Sequence, residues 1–177
     1  MIKAVLVTLA VAAVAIVAVL AYAATMPDTF RVQRSASVKA APEKIHPLIA
    51  GFDRWPEWSP YEHRDPQMKR TRSGPKIGKG AIYEWDGNNN VGKGRMEILD
   101  TSPGKIVIKL DFLRPFEASN TAIFTLEPAS DGTRVTWAME GPSQFIGKVM
   151  SVFIDMDKMV GKDFETGLAS MKAAAEK

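Results

Sequence analysis

Apolar residues recur at spacings of three and four from Val149 to Met171: Val149, Val152, Phe153, Met156, Met159, Val160, Phe164, Leu168 and Met171. Lys148, Asp155, Asp157, Lys158, Lys162, Asp163, Glu165 and Lys172 fall mostly off that stripe. The pattern predicts one long amphipathic α-helix, which must bury its apolar face against a broad partner. Methionine, a flexible filler, is frequent in the stripe. Gly161 and Gly167 also lie in it, and each costs a helix roughly 1 kcal/mol relative to alanine. A close approach is expected there, by backbone or by a guest molecule.

Upstream, the period changes from 3.6 to 2. Phe30 to Lys39 alternates, with Val32, Ala36 and Val38 on one face, and predicts a half-buried strand. Ala41-Pro42-Glu43 opens a short helix whose apolar face is Ile45, Leu48 and Ile49 and whose stop is Gly51. Two prolines confine Trp55-Pro56-Glu57-Trp58-Ser59-Pro60 to a short helical turn. Its two tryptophans are either packing anchors or the aromatic wall of a pocket mouth. Strands are then expected over Met68–Thr71, Ala81–Trp85, Val91–Asp100, Ile106–Leu113, Ala118–Glu127 and Arg134–Glu140, separated by turn-forming Gly, Pro, Asn and Asp. Tyr83, Trp85, Met96, Ile98, Ile106, Ile108, Leu110, Phe112, Ala122, Phe124, Leu126, Val135, Trp137 and Met139 occupy one set of alternate positions. They form a continuous apolar sheet face, the partner the C-terminal helix requires. Ser143–Lys148 reads as a turn into that helix.

The N-terminus obeys neither period. From Ala4 to Ala24 only Thr8 and Tyr22 carry polar atoms in their side chains, and 21 residues at 1.5 Å each match a hydrocarbon core of roughly 30 Å. The segment reads as a membrane anchor. The alternative is an export signal cleaved after Ala21-Tyr22-Ala23. Sidedness stays open: Lys3 precedes the segment, while Arg31, Arg34 and Lys39 follow it. The chain thus divides into residues 1–27, anchor or signal plus linker, and one α+β domain over 28–177.

Charge and composition remove several function classes. Lys3 is the only charged residue in 1–27, and the acids and bases beyond it nearly balance. The pI near 9.1 is therefore no nucleic-acid signature. Without cysteine there is no disulfide framework, thiol nucleophile or thiolate metal site. His46 and His63 have no partners at metal or triad spacing, and the run Glu62-His63-Arg64-Asp65 reads as a solvated loop. Gly74 to Gly80 lacks the Gly-Lys-Ser/Thr of a phosphate loop and leads into a strand. Lys69, Arg70, Arg72, Lys76 and Lys79 read as a solvated sheet edge that could also meet anionic headgroups. No catalytic residue, metal or cofactor is assigned.

The order strand, Ala-Pro-Glu-Lys-Ile helix, Trp-Pro-Glu-Trp-Ser-Pro turn, strand meander and final helix with Gly161-Lys162-Asp163-Phe164 and Gly167-Leu168 resembles the START-like (SRPBCC) superfamily. Within it the chain is similar to the polyketide cyclase/dehydrase and lipid-transport group. The resemblance covers about residues 30–176. It implies a helix-grip fold, an antiparallel sheet curled around a long C-terminal helix, with an apolar cavity between them. The implied ligand is a lipid or other hydrophobic small molecule, bound without catalysis. Trp55, Trp58, Tyr83, Trp85, Phe112, Phe116, Trp137, Met139, Phe153, Met156 and Val160 would line or gate the cavity. Two alternatives accompany this reading. One is a cyclase or dehydratase using Arg34, Glu84, Glu97, Asn120 or Glu140 as inward polar groups. The other is a regulatory domain that binds a protein and keeps a filled core.

Overall fold

The computed structural model describes residues 1–177. Helix α1 spans Ile2–Thr25 and, apart from its last turns, touches nothing else in the chain. The domain follows as β1 (Thr29–Val38), α2 (Pro42–Ala50), two 3₁₀ turns (Phe52–Glu57 and Pro60–His63), β2 (Lys69–Ser73), β3 (Ile82–Asp86), β4 (Lys93–Ser102), β5 (Lys105–Arg114), β6 (Ala118–Ala129), β7 (Gly132–Pro142), α3 (Phe145–Ser151) and α4 (Met156–Ala175). The strands make one antiparallel sheet in the order β1-β7-β6-β5-β4-β3-β2. Consecutive strands from β2 to β7 are neighbours, as a meander requires, and β1 closes on β7. This is the expected helix-grip architecture, preceded by an apolar helix.

Strand pairing sets the rows of the inner face. Arg34 pairs with Trp137, and Trp137 with Phe124. Val32, Met139, Ala122, Ile108 and Ile98 form the next row. Phe30, Gly141, Leu110 and Met96 share a further row with Asn120, whose carboxamide lies against Gly141. The alternation read from the sequence therefore has the right register. The outer face is polar, with ion pairs Arg31–Glu140, Arg95–Glu97 and Lys109–Asp111.

The C-terminal stripe is not one helix. Helix α3 forms where a turn was expected and ends in tight bonds from Val152 N to Val149 O and from Phe153 N to Met150 O. The chain then turns, and Asp155 starts α4 as its N-cap, accepting from Lys158 N at 2.9 Å. An Asp-x-x-Lys start inside an apolar repeat defeats the periodicity, because the side chain offers the backbone a local partner at that point. Phe164, Leu168 and Met171 are buried, whereas Phe153, Met156 and Met159 are exposed.

Two glycines fix where α4 lies. A Cβ on Gly161 would strike the Arg34 guanidinium, and one on Gly167 would come within 2.8 Å of the Trp137 ring and 3.1 Å of Pro60. The close approach is thus made by side chains of the sheet and the 3₁₀ turn. Phe164 stacks on Trp137 with ring centroids 4.0 Å apart, and Trp137 stacks on Phe124 at 5.1 Å. Arg34 bonds Asp157 at 2.9 Å and Glu165 at 2.9 Å, and at the far end Lys39 N donates to Glu176 at 2.6 Å. Helix α4 therefore packs along edge strand β1, with Gly161 at Arg34 and Glu176 at Lys39.

These contacts predict unequal costs along the stripe. Phe164→Ala should lower unfolding free energy by about 3–5 kcal/mol, while Met159→Ala should stay within about 0.5 kcal/mol; urea unfolding of the full chain in detergent, followed by tryptophan emission, reads both. The Arg34 guanidinium also holds the Asp157 carboxyl below its ordinary range, chiefly through their hydrogen bond. A depressed carboxyl pKa contributes stability that is present above the unfolded value and lost as pH falls through the folded one. Loosening of α4 on acidification should begin only below about pH 4, and Asp157→Asn should remove that part of the acid response.

Candidate functional site

Of the residues expected to line a cavity, the structure buries six. Trp55, Trp58, Tyr83, Trp85, Trp137 and Met139 are each at most 9% exposed. The tryptophan pair is tied to α2: Trp55 Nε1 donates to Ile49 O at 3.0 Å and Trp58 Nε1 to Leu48 O at 2.7 Å. These are among the last carbonyls of α2, which no intrahelical donor can reach. Trp58 then sets its edge against Trp137 and Phe124, with centroids 5.4 and 5.8 Å apart. Both indoles act as packing anchors, and the region beneath α4 is filled by aromatic rings.

The remaining five fall elsewhere. Phe112 and Val160 are half-buried against the core. Phe116 (70% exposed), Phe153 (74%) and Met156 (42%) project into solvent. Phe30, Leu110 and Phe112, on the side of the inner face from which α1 enters, are only partly buried, as is Val160 of α4. Among Phe30, Gly141, Leu110 and Phe112 the polar side chain is Asn120, 7% exposed and set against Gly141. Sequence reasoning treated Asn120 as a possible catalytic group. Its place beside Leu110 and Gly141 is visible only once the strands are paired.

Two open clefts stand out, and neither involves the expected lining residues. One, about 330 Å³, lies between α2 and the β4–β5 turn and includes Pro42, His46, Pro47, Thr101 and Pro103. There His46 Nε2 shares a 2.8 Å hydrogen bond with Thr101, a structural role. The other, about 670 Å³, is bordered by Arg31, Leu99, Lys109, Thr121 and Glu140 of the outer sheet face and also by Phe30, Asn120 and Gly141.

The acid–base candidates separate in the same way. Glu84, Glu97 and Glu140 point outward, the last two into ion pairs with Arg95 and Arg31. Arg34 points inward but is consumed by α4. The Glu62–Asp65 run is not the solvated loop expected from its charge. Glu62 is 5% exposed and accepts from Arg70 at 2.8 Å and from the Tyr83 hydroxyl at 2.5 Å. Asp65, also buried, accepts from Asn88 N at 2.8 Å and Gln67 N at 3.1 Å. Burial, and then the Glu62 bond, push the Tyr83 phenol up from its ordinary value. Charged residues join this buried network because each acid meets donors arriving from another segment, a relation that no local pattern encodes. Lys76 and Lys79 lie in the β2–β3 hairpin at the end of the sheet opposite α1.

With this geometry in place, comparison with known proteins becomes specific. The family of polyketide cyclase / dehydrase and lipid transport proteins matches residues 29–176. The chain belongs to this family. The family fold suggests a hydrophobic ligand-binding cavity. No curated protein sequence matches the chain. Among solved structures it is similar to protein CV1439 from Chromobacterium violaceum, with a TM-score of 0.58 and 16% identity, covering 86% of this chain and 99% of that one. It is similar to the di-domain ARO/CYC StfQ of the steffimycin biosynthetic pathway, with a TM-score of 0.61 and 15% identity, covering 84% of this chain and 51% of that one. The Aha1 dimer from Colwellia psychrerythraea gives a TM-score of 0.59 and 17% identity over 83% of this chain and 96% of that one. At these identities the likeness is one of fold.

The buried Glu62 network should matter for stability alone. Glu62→Ala leaves Arg70 and the Tyr83 hydroxyl without their partner and should cost about 3 kcal/mol, readable by chemical unfolding.

Proposed function

We propose that this protein is a membrane-tethered, non-enzymatic binder of a lipid-like or other hydrophobic small molecule. The ligand would lie on the α1 side of the inner sheet face. The observation that carries the reading is the incomplete cover of that face: Phe30, Leu110 and Phe112 of the sheet and Val160 in the first turns of α4 keep partial exposure. Apolar surface left open to water is stabilised by any greasy guest at about 25 cal/mol per Å² covered, less the entropy lost on association. Helix α1, 24 residues long and apolar enough to cross a bilayer, would supply the tether.

Asn120 gives the ligand a polar feature. Its carboxamide borders an open cleft and can exchange hydrogen bonds with a ligand carbonyl or hydroxyl. The expected guest is therefore a chain or ring system with one oxygen function near an end. The cyclase reading draws support from the family description alone, since the inward cations Arg34, Arg70 and Arg72 are each paired with a carboxylate. Phe116, Phe153 and Met156 are assigned to the rim of the site, and Trp55, Trp58 and Trp137 to its floor.

Native mass spectrometry of the detergent-extracted full chain should show a co-purifying lipid-sized mass. Val160→Trp should displace that mass, and Asn120→Leu should weaken its retention about tenfold, equivalent to about 1.4 kcal/mol, while leaving stability equal or higher. Protein that is empty in every preparation and takes up no added fatty acid, isoprenoid or phospholipid sinks the reading.

A further inference from the structure

Outside α1, the large apolar side chains that remain exposed are unevenly distributed. Ile77 and Leu99 stand alone. The rest lie in two places: Leu113 and Phe116 at the β5–β6 turn, and Phe145, Ile146, Met150, Phe153, Ile154, Met156 and Met159 from α3 into the first turn of α4. Topology brings these two segments to one end of the sheet. Strand β1 begins there, β7 ends there one residue-pair away (Thr29 opposite Pro142), and the β5–β6 turn closes there, with Asn120 of β6 against Gly141 of β7. A soluble domain rarely leaves so much contiguous apolar surface without a partner.

The chain itself says what covers this end. Only Met26, Pro27 and Asp28 separate α1 from β1, a reach of about 10 Å when extended. The junction is also held from the side. Helix α3 packs on the end of α1, where Ala23 is fully buried. Lys148 Nζ, almost fully buried, bonds Asp28 at 2.5 Å, and Ser151 Oγ lies 3.5 Å from Met26 Sδ. Phe145, Ile146 and Met150 occupy the remaining, exposed face of α3. Apolar surface thus runs on from the end of α1 across α3 to the α3–α4 elbow.

We propose that this end is a membrane-docking surface: the β5–β6 turn and the α3–α4 elbow lie in the lipid headgroup–acyl boundary beside the point where α1 leaves the bilayer. The partially uncovered Phe30–Asn120–Leu110 row then opens toward the lipid rather than toward water. The inference rests on α1 being a membrane anchor, and it deepens the proposed function by naming where the ligand enters.

The lack of cysteine allows single-site labelling. Phe116→Cys, Phe153→Cys and, at the opposite end, Ile77→Cys would each carry an environment-sensitive fluorophore. Each would be tested in the full chain reconstituted into phosphatidylethanolamine–phosphatidylglycerol vesicles, after checking that tryptophan emission matches the parent. Labels at 116 and 153 should shift to the blue and lose intensity when the lipid carries a shallow nitroxide, while the label at 77 should show neither change. Alkaline extraction of the same vesicles reports on the tether separately. A chain that resists extraction while labels at 116 and 153 behave like that at 77 overturns the docking proposal and leaves the tether standing. A chain that is washed off overturns both.

Discussion

The stack of Phe124, Trp137 and Phe164 is the contact on which the rest of the domain depends. Trp137 belongs to the strand next to the sheet edge, so a helix that stacks on it must lie along β1 and cannot centre itself over the sheet. Gly167 allows the helix to come that close, and Trp58 closes the side of the stack with its edge. Each ring buries on the order of 200 Å², and aromatic rings do not compress, so the position of α4 leaves little freedom. The uncovered rows near Phe30 are the geometric remainder of that choice.

Polar contacts refine what the rings determine. Arg34, opposite Trp137 on the inner face, is neutralised by two carboxylates of the helix it helps to seat. Because it meets Gly161, the same residue fixes both the height and the axial register of α4. At the other edge, β2 carries Lys69, Arg70 and Arg72, with Arg70 paired to Glu62 and Arg72 to Asp53 at 3.1 Å. A short, charged edge strand discourages pairing with another chain. Both edges are thus protected, one by a helix and one by charge.

Much of the fold was legible because its signals are local and periodic. Alternation assigned the inner face of every major strand with the correct phase, since a one-residue slip would have moved the whole apolar set outward. Pro42 and Gly51 marked the ends of α2 correctly. The α3–α4 elbow was missed because Val152, Phe153 and Met156 continue the helical spacing even though the chain turns there. Their hydrophobicity is real, but it serves an exposed surface, and periodicity cannot tell one destination from another. The buried state of Glu62 depends on Arg70 and Tyr83, and the position of Asn120 against Gly141 depends on strand pairing. The candidate site was legible as a set of apolar residues, without the division into filled floor, open rows and exposed rim.

The three-residue joint between α1 and β1 carries a mechanical consequence. The apolar run Ala4–Ala24 extends about 32 Å, and if α1 spans a bilayer as proposed, a core thinner than that run makes the rod lean to keep its apolar surface inside. A flexible tether would absorb that lean. Here α3 and the Lys148–Asp28 bond brace the joint, so the lean of the rod would pass to the body it carries. Bilayer thickness would then set the posture of the domain, and a thinner or thicker patch of membrane would tip it as a hull tips with its keel.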